Sequence, residues 1–187
     1  NAKKELQKSL SKYSAAAAAV VAVGGAANAQ VVYTQVNKTI NAASPVDSID
    51  INQDGIYDAA MVVYDLGGGD AAIIGGPMNS QGHAFAGSAP SGYNYPFKLN
   101  SGVAVNTQVF LAPEAVGTFT FVVGGANPYN SFWNGGVTDG FLGVKLSVGA
   151  NTHYGWVRMD MAANGLSAVI KDMAYNATAG DAINTAQ

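Results

Sequence analysis

From residue 31 onward, apolar and polar positions in this 187-residue chain switch over short distances, in segments of three to nine residues. Val31-Val32-Tyr33-Thr34-Gln35-Val36 is β-branched and aromatic, which predicts a first strand. Val46-Asp47-Ser48-Ile49-Asp50-Ile51 alternates with period two, as a half-buried strand does. The apolar run Ala59–Tyr64 follows an acidic stretch, and the two runs predict a hairpin closed by that stretch. Gly67-Gly68-Gly69 is a turn before a short buried strand at Ala71–Ile74. Residues 75–94 read as loop. Short strands are expected at Val103–Val105 and Gln108–Leu111, and a stronger one at Thr118–Val123. The last third predicts three strands, Phe141–Val148, Thr152–Asp160 and Ser167–Tyr175. Turns at Gly149-Ala150-Asn151 and Ala163-Asn164-Gly165 join them, the second carrying the Asn-Gly hairpin signal. About ten short strands without a second helical pattern predict a mainly β chain, an antiparallel β-sandwich that is jelly-roll-like or Ig-like.

The first 29 residues follow another pattern. Lys3, Lys4, Lys8 and Lys12 precede an apolar run of small residues from Ser14, which closes on Ala27-Asn28-Ala29. A basic section, an apolar section and an A-x-A motif make a secretory signal peptide. The expected division is therefore 1–29, a signal-like, Ala-rich N-terminal α-helix, and 30–187, a single β-sandwich domain. A helix over Ala2–Ala27 would be about 39 Å long. Lys4, Lys8 and Lys12 would share one face, with Leu6, Leu10, Tyr13 and Ala17 on another. If the segment is retained, its small residues allow close helix–helix contact. The run from Ser14 to Ala29 is shorter and weaker than the ~20 strongly apolar residues of a membrane span, so no permanent membrane anchor is expected.

Composition narrows the function. The chain has no cysteine, so neither disulfides nor thiolate metal sites are available. Beyond Gln30 there are five basic residues against eleven acidic ones, a net of −6. An acidic body offers no counter-charge to a phosphate backbone, which excludes nucleic acid as a partner. Charged residues are only 11% of the chain, so much of the surface must be uncharged.

One stretch carries a chemical signal. Asp50-x-Asn52-x-Asp54-Gly55-x-x-Asp58 places oxygen side chains at loop positions 1, 3, 5 and 9, with Gly at 6 and the Ile56 carbonyl at 7. That spacing turns hard oxygen donors toward one point, as a Ca²⁺ loop does. Position 12 is Met61 rather than Glu and the flanks are strands, so the expected ion is structural. An Asx-rich turn without an ion is the other reading. His83 and His153 are the only histidines, and neither has a carboxylate at ligand spacing. There is no G-x-S-x-G elbow, and Gly67–Asp70 lacks the Lys-Ser/Thr ending of a phosphate loop. A non-enzymatic protein is expected, with a secreted hydrolase as the remote alternative, since paired carboxylates can be distant in sequence. Tyr93, Tyr95, Tyr129, Phe132 and Trp133 lie among Asn and Gly, where aromatics stack on sugars, bury at subunit interfaces or pack beneath their own loops.

The blocks Phe141–Leu146, His153-Tyr154-Gly155-Trp156-Val157-Arg158 and Ile170–Asn176 resemble a family of small exported β-proteins of Gram-negative bacteria. The start Ser9–Ala15, the junction Ala29–Thr34 and the acidic loop Asp50–Asp58 share that resemblance, and similar C-terminal blocks occur in exported proteins of the PEP-CTERM type. It implies export to the extracellular space or cell surface and a β-fold, and names no reaction. The function expected is a structural subunit of an extracellular filament or surface assembly. It would polymerise with itself through the N-terminal helix, the edge strand Val31–Val36 or both, with calcium in the loop. A monomeric, calcium-stabilised module that binds surface glycans through its loop aromatics is the alternative.

Overall fold

The computed structural model describes residues 30–78, 81–129 and 131–187, and the helix expected over residues 2–27 lies outside them. The described residues form eleven strands: β1 (Val31–Asn41), β2 (Val46–Ile49), β3 (Ala59–Gly67), β4 (Asp70–Pro77), β5 (Ala84–Phe85), β6 (Gly87–Ser88), β7 (Tyr95–Pro96), β8 (Gly117–Val122), β9 (Val137–Val148), β10 (Asn151–Met161) and β11 (Ser167–Asn176). They build a five-stranded sheet in the order β1-β11-β10-β9-β5, a four-stranded sheet in the order β2-β3-β4-β8, and a β6-β7 ribbon. All named pairings are antiparallel. The protein is mainly β and antiparallel, with the two larger sheets packed across a shared core.

Alternation in β3 turns Ala59, Met61 and Val63 inward. They meet Ile73 of β4, Phe119 of β8, and Leu142, Leu146, Val157, Met159 and Ile170 of the five-stranded sheet. Removing these side chains from water at about 25 cal/mol per Å² is the main drive to fold. The five-stranded sheet also buries its other face. Leu99, Val105, Phe141, Trp156, Ala174 and Ile183 form a second core there. The chain end is tied over it by Gly102 N–H to the Thr185 carbonyl (2.9 Å) and Val105 N–H to the Ile183 carbonyl (2.9 Å). A strand apolar on both faces cannot alternate, which explains the continuous run Phe141-Leu142-Gly143-Val144. Gly155 serves the same crowding, since a Cβ there would sit 2.7 Å from the Ala174 carbonyl oxygen.

Two expected strands are absent. Residues 105–107 form a 3-10 turn, and the segment 99–110 is held only by isolated bridges such as Ala86–Phe110 and Ala104–Asn184. Its apolar residues mark a cover over the second core, where burial rather than pairing holds the backbone. Conversely, β5 and β6 lie in the stretch 75–94 read as loop, and β7 follows directly after it. They are two residues long, too short to show a period.

Candidate functional site

The acidic loop joins β2 to β3. Asp58 N–H donates to the Ile49 carbonyl (2.8 Å) and closes its neck, while Ile51 sinks into the main core. Gln53 (φ 60°) and Gly55 (φ 88°) supply the left-handed backbone that turns it. Asp50 accepts from the N–H of Asp54 (3.2 Å) and Gly55 (2.9 Å), and Asn52 Oδ1 accepts from Asp54 N–H (3.0 Å). Asp54 accepts from Ile56 N–H (2.8 Å) and from the Asn52 amide (3.0 Å). The fold thus gathers Asp50, Asn52, Asp54 and Ile56 around one tight turn.

Asp58 is placed differently. It is buried, its Oδ2 accepts from the N–H of Ile51 (2.6 Å) and Asn52 (3.2 Å), and its Oδ1 lies 3.2 Å from His83 Nε2. His83 is fully buried. Its Nδ1 accepts from Ser147 N–H at 2.9 Å, so the ring proton sits on Nε2. That proton faces Asp58 without the alignment of a full hydrogen bond. The ninth loop position is therefore braced from inside by backbone and a histidine. Nothing in the sequence linked His83 to a carboxylate 25 positions away. Tyr175 of β11 registers the loop's charge: burial raises its pKa, and Asp54, Asp50 and Asp58 raise it further. Among the described residues no three His, Cys, Asp or Glu side chains are grouped to hold a metal, so a cation here would draw on the Asn52 and Ile56 oxygens as well.

The aromatic residues separate into two kinds. Of the readings open for the loop aromatics, Trp133 follows packing beneath its own loop and is fully buried: its Nε1–H donates to the Pro96 carbonyl (3.1 Å) and its ring meets Phe119 edge-on at 5.5 Å. Tyr95 is buried too. A residue this large gains more from the core than from a loop surface, and loop composition does not reveal which way it points. Tyr93 (53% exposed) and Phe132 (47%) do reach the surface. Tyr93 lies 5.3 Å from Tyr129, which packs edge-on to Phe121 (5.2 Å). Burial raises the pKa of Tyr95, and the neighbouring hydroxyls of Tyr129 and Tyr93 add to it.

Three irregularities in the five-stranded sheet assemble an ionic cluster. Asp139 (φ 53°) and Asn37 (φ 52°) bulge from β9 and β1, and Lys171 is an extra residue in β11. Lys171 and Asp172 consequently share the outer face despite being consecutive. Arg158 holds Asp172 through Nε (2.9 Å) and Nη2, and the Tyr33 hydroxyl donates to the same carboxylate (2.8 Å). Lys171 bridges Asp139 and Asp160, each at 2.8 Å. The hydrogen bond from Lys171 holds Asp139 below the usual carboxylate range, and those it donates to Asp139 and Asp160 raise Lys171. Every ion here is matched, which makes the cluster a brace across β9, β10 and β11. His153 is structural in the same sense, its Nδ1 lying 2.9 Å from the Asn176 carbonyl.

The outer face of the four-stranded sheet is the reverse. Registers place Tyr64, Ala72 and Phe121 in one row, Val46, Val62, Ile74 and Thr118 in the next, and Ser48, Ala60 and Gly76 in a third. None is charged. Val46 is 55% exposed, Tyr64 45%, and Val116, beside Gly76, 57%. The sequence carried a signal for this in Ala59–Tyr64, which is apolar without alternation. Among the described residues no helix is long and apolar enough to cross a membrane. No family model, no curated protein and no solved structure matches the chain.

Proposed function

We propose that the protein is a non-enzymatic structural subunit of an extracellular filament or surface assembly that associates with copies of itself. The observation that carries this reading is the uncharged outer face of the four-stranded sheet, with Val46, Tyr64 and Val116 left to water. An uncharged face with several large apolar side chains exposed on it suits an interaction surface. The acidic body carries its charge elsewhere, so copies can meet at this face without like-charge repulsion. Residues 1–29 and the β1 edge are the further contacts this reading assigns. Export to the surface of a Gram-negative bacterium rests on the signal-like start and the resemblance of the C-terminal blocks. In the acidic loop Asp50, Asn52, Asp54 and the Ile56 carbonyl would hold a structural Ca²⁺, with Asp58 fixing the loop from within.

Sedimentation of the full chain over a range of concentrations tests the assembly, with Val46→Lys and Tyr64→Lys as exposed-face variants. Association in the wild type that both variants weaken is expected; a monomer at every concentration refutes the reading. For the ion, chelation should lower the melting temperature of the wild type and leave Asp54→Ala unmoved. Superimposable wild-type melts with and without chelator remove calcium from the account.

A second reading rests on Tyr93 and Tyr129, which meet at the surface over the buried Tyr95 and form an uncharged aromatic patch. It would suit a surface glycan, and Tyr93→Ala is the variant that probes it, since Trp133 is core.

A further inference from the structure

We infer that β1 is an assembly edge, at which a second copy of the chain pairs antiparallel across a two-fold axis passing through Tyr33. The inference rests on the assembly reading above and names one of its contacts. Among the described residues β1 has a single hydrogen-bonded neighbour, β11. Ala177 N–H donates to the Gln30 carbonyl (2.8 Å), which sets the phase of that ladder. Bonded and non-bonded pairs alternate in antiparallel strands, so Val32 and Thr34 also direct their backbone groups at β11. Val31, Tyr33 and Gln35 therefore point three N–H and three C=O groups outward, and none of the described residues bonds to them.

The other long edges are closed by the chain itself. On β8, Thr118 N–H reaches the Asn94 carbonyl (2.9 Å), Ser131 Oγ donates to the Thr118 carbonyl (3.2 Å), and Asn134 Oδ1 accepts from Phe121 N–H (3.4 Å). β5 is covered by Leu111, whose N–H donates to Phe85 O (2.9 Å), and the bond from Gly87 N–H of β6 to Val109 O (3.0 Å) continues that cover. β2 is only four residues long, and Lys38 of β1 reaches its Asp47. Natural sheets guard open edges with lysine, proline or a bulge. On β1 those devices begin at the Asn37 bulge and Lys38, leaving Val31–Val36 uncharged and unguarded.

A second copy fits this edge by symmetry. Only odd-numbered residues can form bonded pairs across it. Placing Tyr33 opposite Tyr33 also sets Val31 of one copy opposite Gln35 of the other, twice, and satisfies all six groups on each chain. Sliding by two residues loses one of the three pairs. The best register is thus isologous and ends where the bulge turns β1 away.

The test uses the full chain and sedimentation over a range of concentrations. Gln35→Pro removes one outward N–H per copy and no bond to β11, so the fold should hold while self-association weakens about tenfold or more. Because the chain has no cysteine, mixing Val31→Cys and Gln35→Cys proteins under oxidation reads the register directly. The mixture should form disulfide-linked dimers faster than either variant alone. If wild type and Gln35→Pro associate equally, the edge contact is overturned while the assembly reading survives through the sheet face. If the wild type is monomeric throughout, both fall. Should Gln35→Pro misfold, the cysteine pair decides alone: no preferential cross-linking overturns the inference.

Discussion

Replacing Asp58 by alanine removes the one carboxylate that holds the acidic loop from inside. Two backbone N–H groups, of Ile51 and Asn52, lose a shared charged acceptor at 2.6 and 3.2 Å, and His83 Nε2 loses the oxygen 3.2 Å away. Hydrogen bonds to a charged group contribute about 1.5–3 kcal/mol each, so the two backbone bonds alone place the loss at about 3–6 kcal/mol. Asp58→Asn is the milder change. Its carbonyl oxygen still serves Ile51 and Asn52, but its NH₂ then confronts the His83 Nε2–H, a donor against a donor, for about 1–3 kcal/mol. Urea unfolding measures both. With a slope of about 1–3 kcal/mol per M, the alanine variant should shift the midpoint by more than about 1 M and the asparagine variant by less. The measurement is repeated in excess chelator, where the losses should persist because the partners are protein groups. A loss below about 1 kcal/mol for Asp58→Ala, set against the ~3–6 expected, would refute the bracing role. A loss that vanishes in chelator would show the carboxylate serving a cation instead.

Trp133→Ala should cost about 3–5 kcal/mol through the cavity it leaves, whereas Tyr93→Ala and Phe132→Ala should move the urea midpoint little. Equal effects of the three would contradict the buried placement of Trp133. The ionic cluster predicts a sign for acid. Asp139 is held below its ordinary range by Lys171, so its contribution is complete above the ordinary carboxylate range and lost as pH falls through the depressed folded value. Asp139→Asn should therefore be less stable than wild type near neutrality and converge with it toward about pH 2. Parallel curves across that window would show that the pair does not couple to folding.

The strands of the C-terminal third were legible because Asn164-Gly165 and Gly149 fix tight turns and the runs between them are long enough to show an apolar character. The hairpin around the acidic loop was legible for the same reason: period-two alternation and turn chemistry are local properties of the backbone. Pairing partners, and the face a residue turns to, belong to the whole chain. Val103–Val105 and Gln108–Leu111 looked like short strands, yet Val103, Val105 and Phe110 were committed to packing with Phe141 and Trp156. Trp133 carried the loop composition of its neighbours and was buried by Phe119 and Pro96, which lie far from it in sequence.

The functional surfaces divide along the same line. Oxygen spacing marked Asp50, Asn52 and Asp54 as one group, since three alternate residues in a tight turn converge whatever surrounds them. Only tertiary packing turned Asp58 inward to His83, aligned the bulges that put Lys171 and Asp172 on one face, and left β1 with a single neighbour among the described residues. Sequence by itself determined which short segments would be extended and where they would turn, because φ/ψ preference and side-chain period act over a few residues. Tertiary structure alone decided which face and which edge remained open, because burial and strand pairing depend on residues brought together from the whole length of the chain.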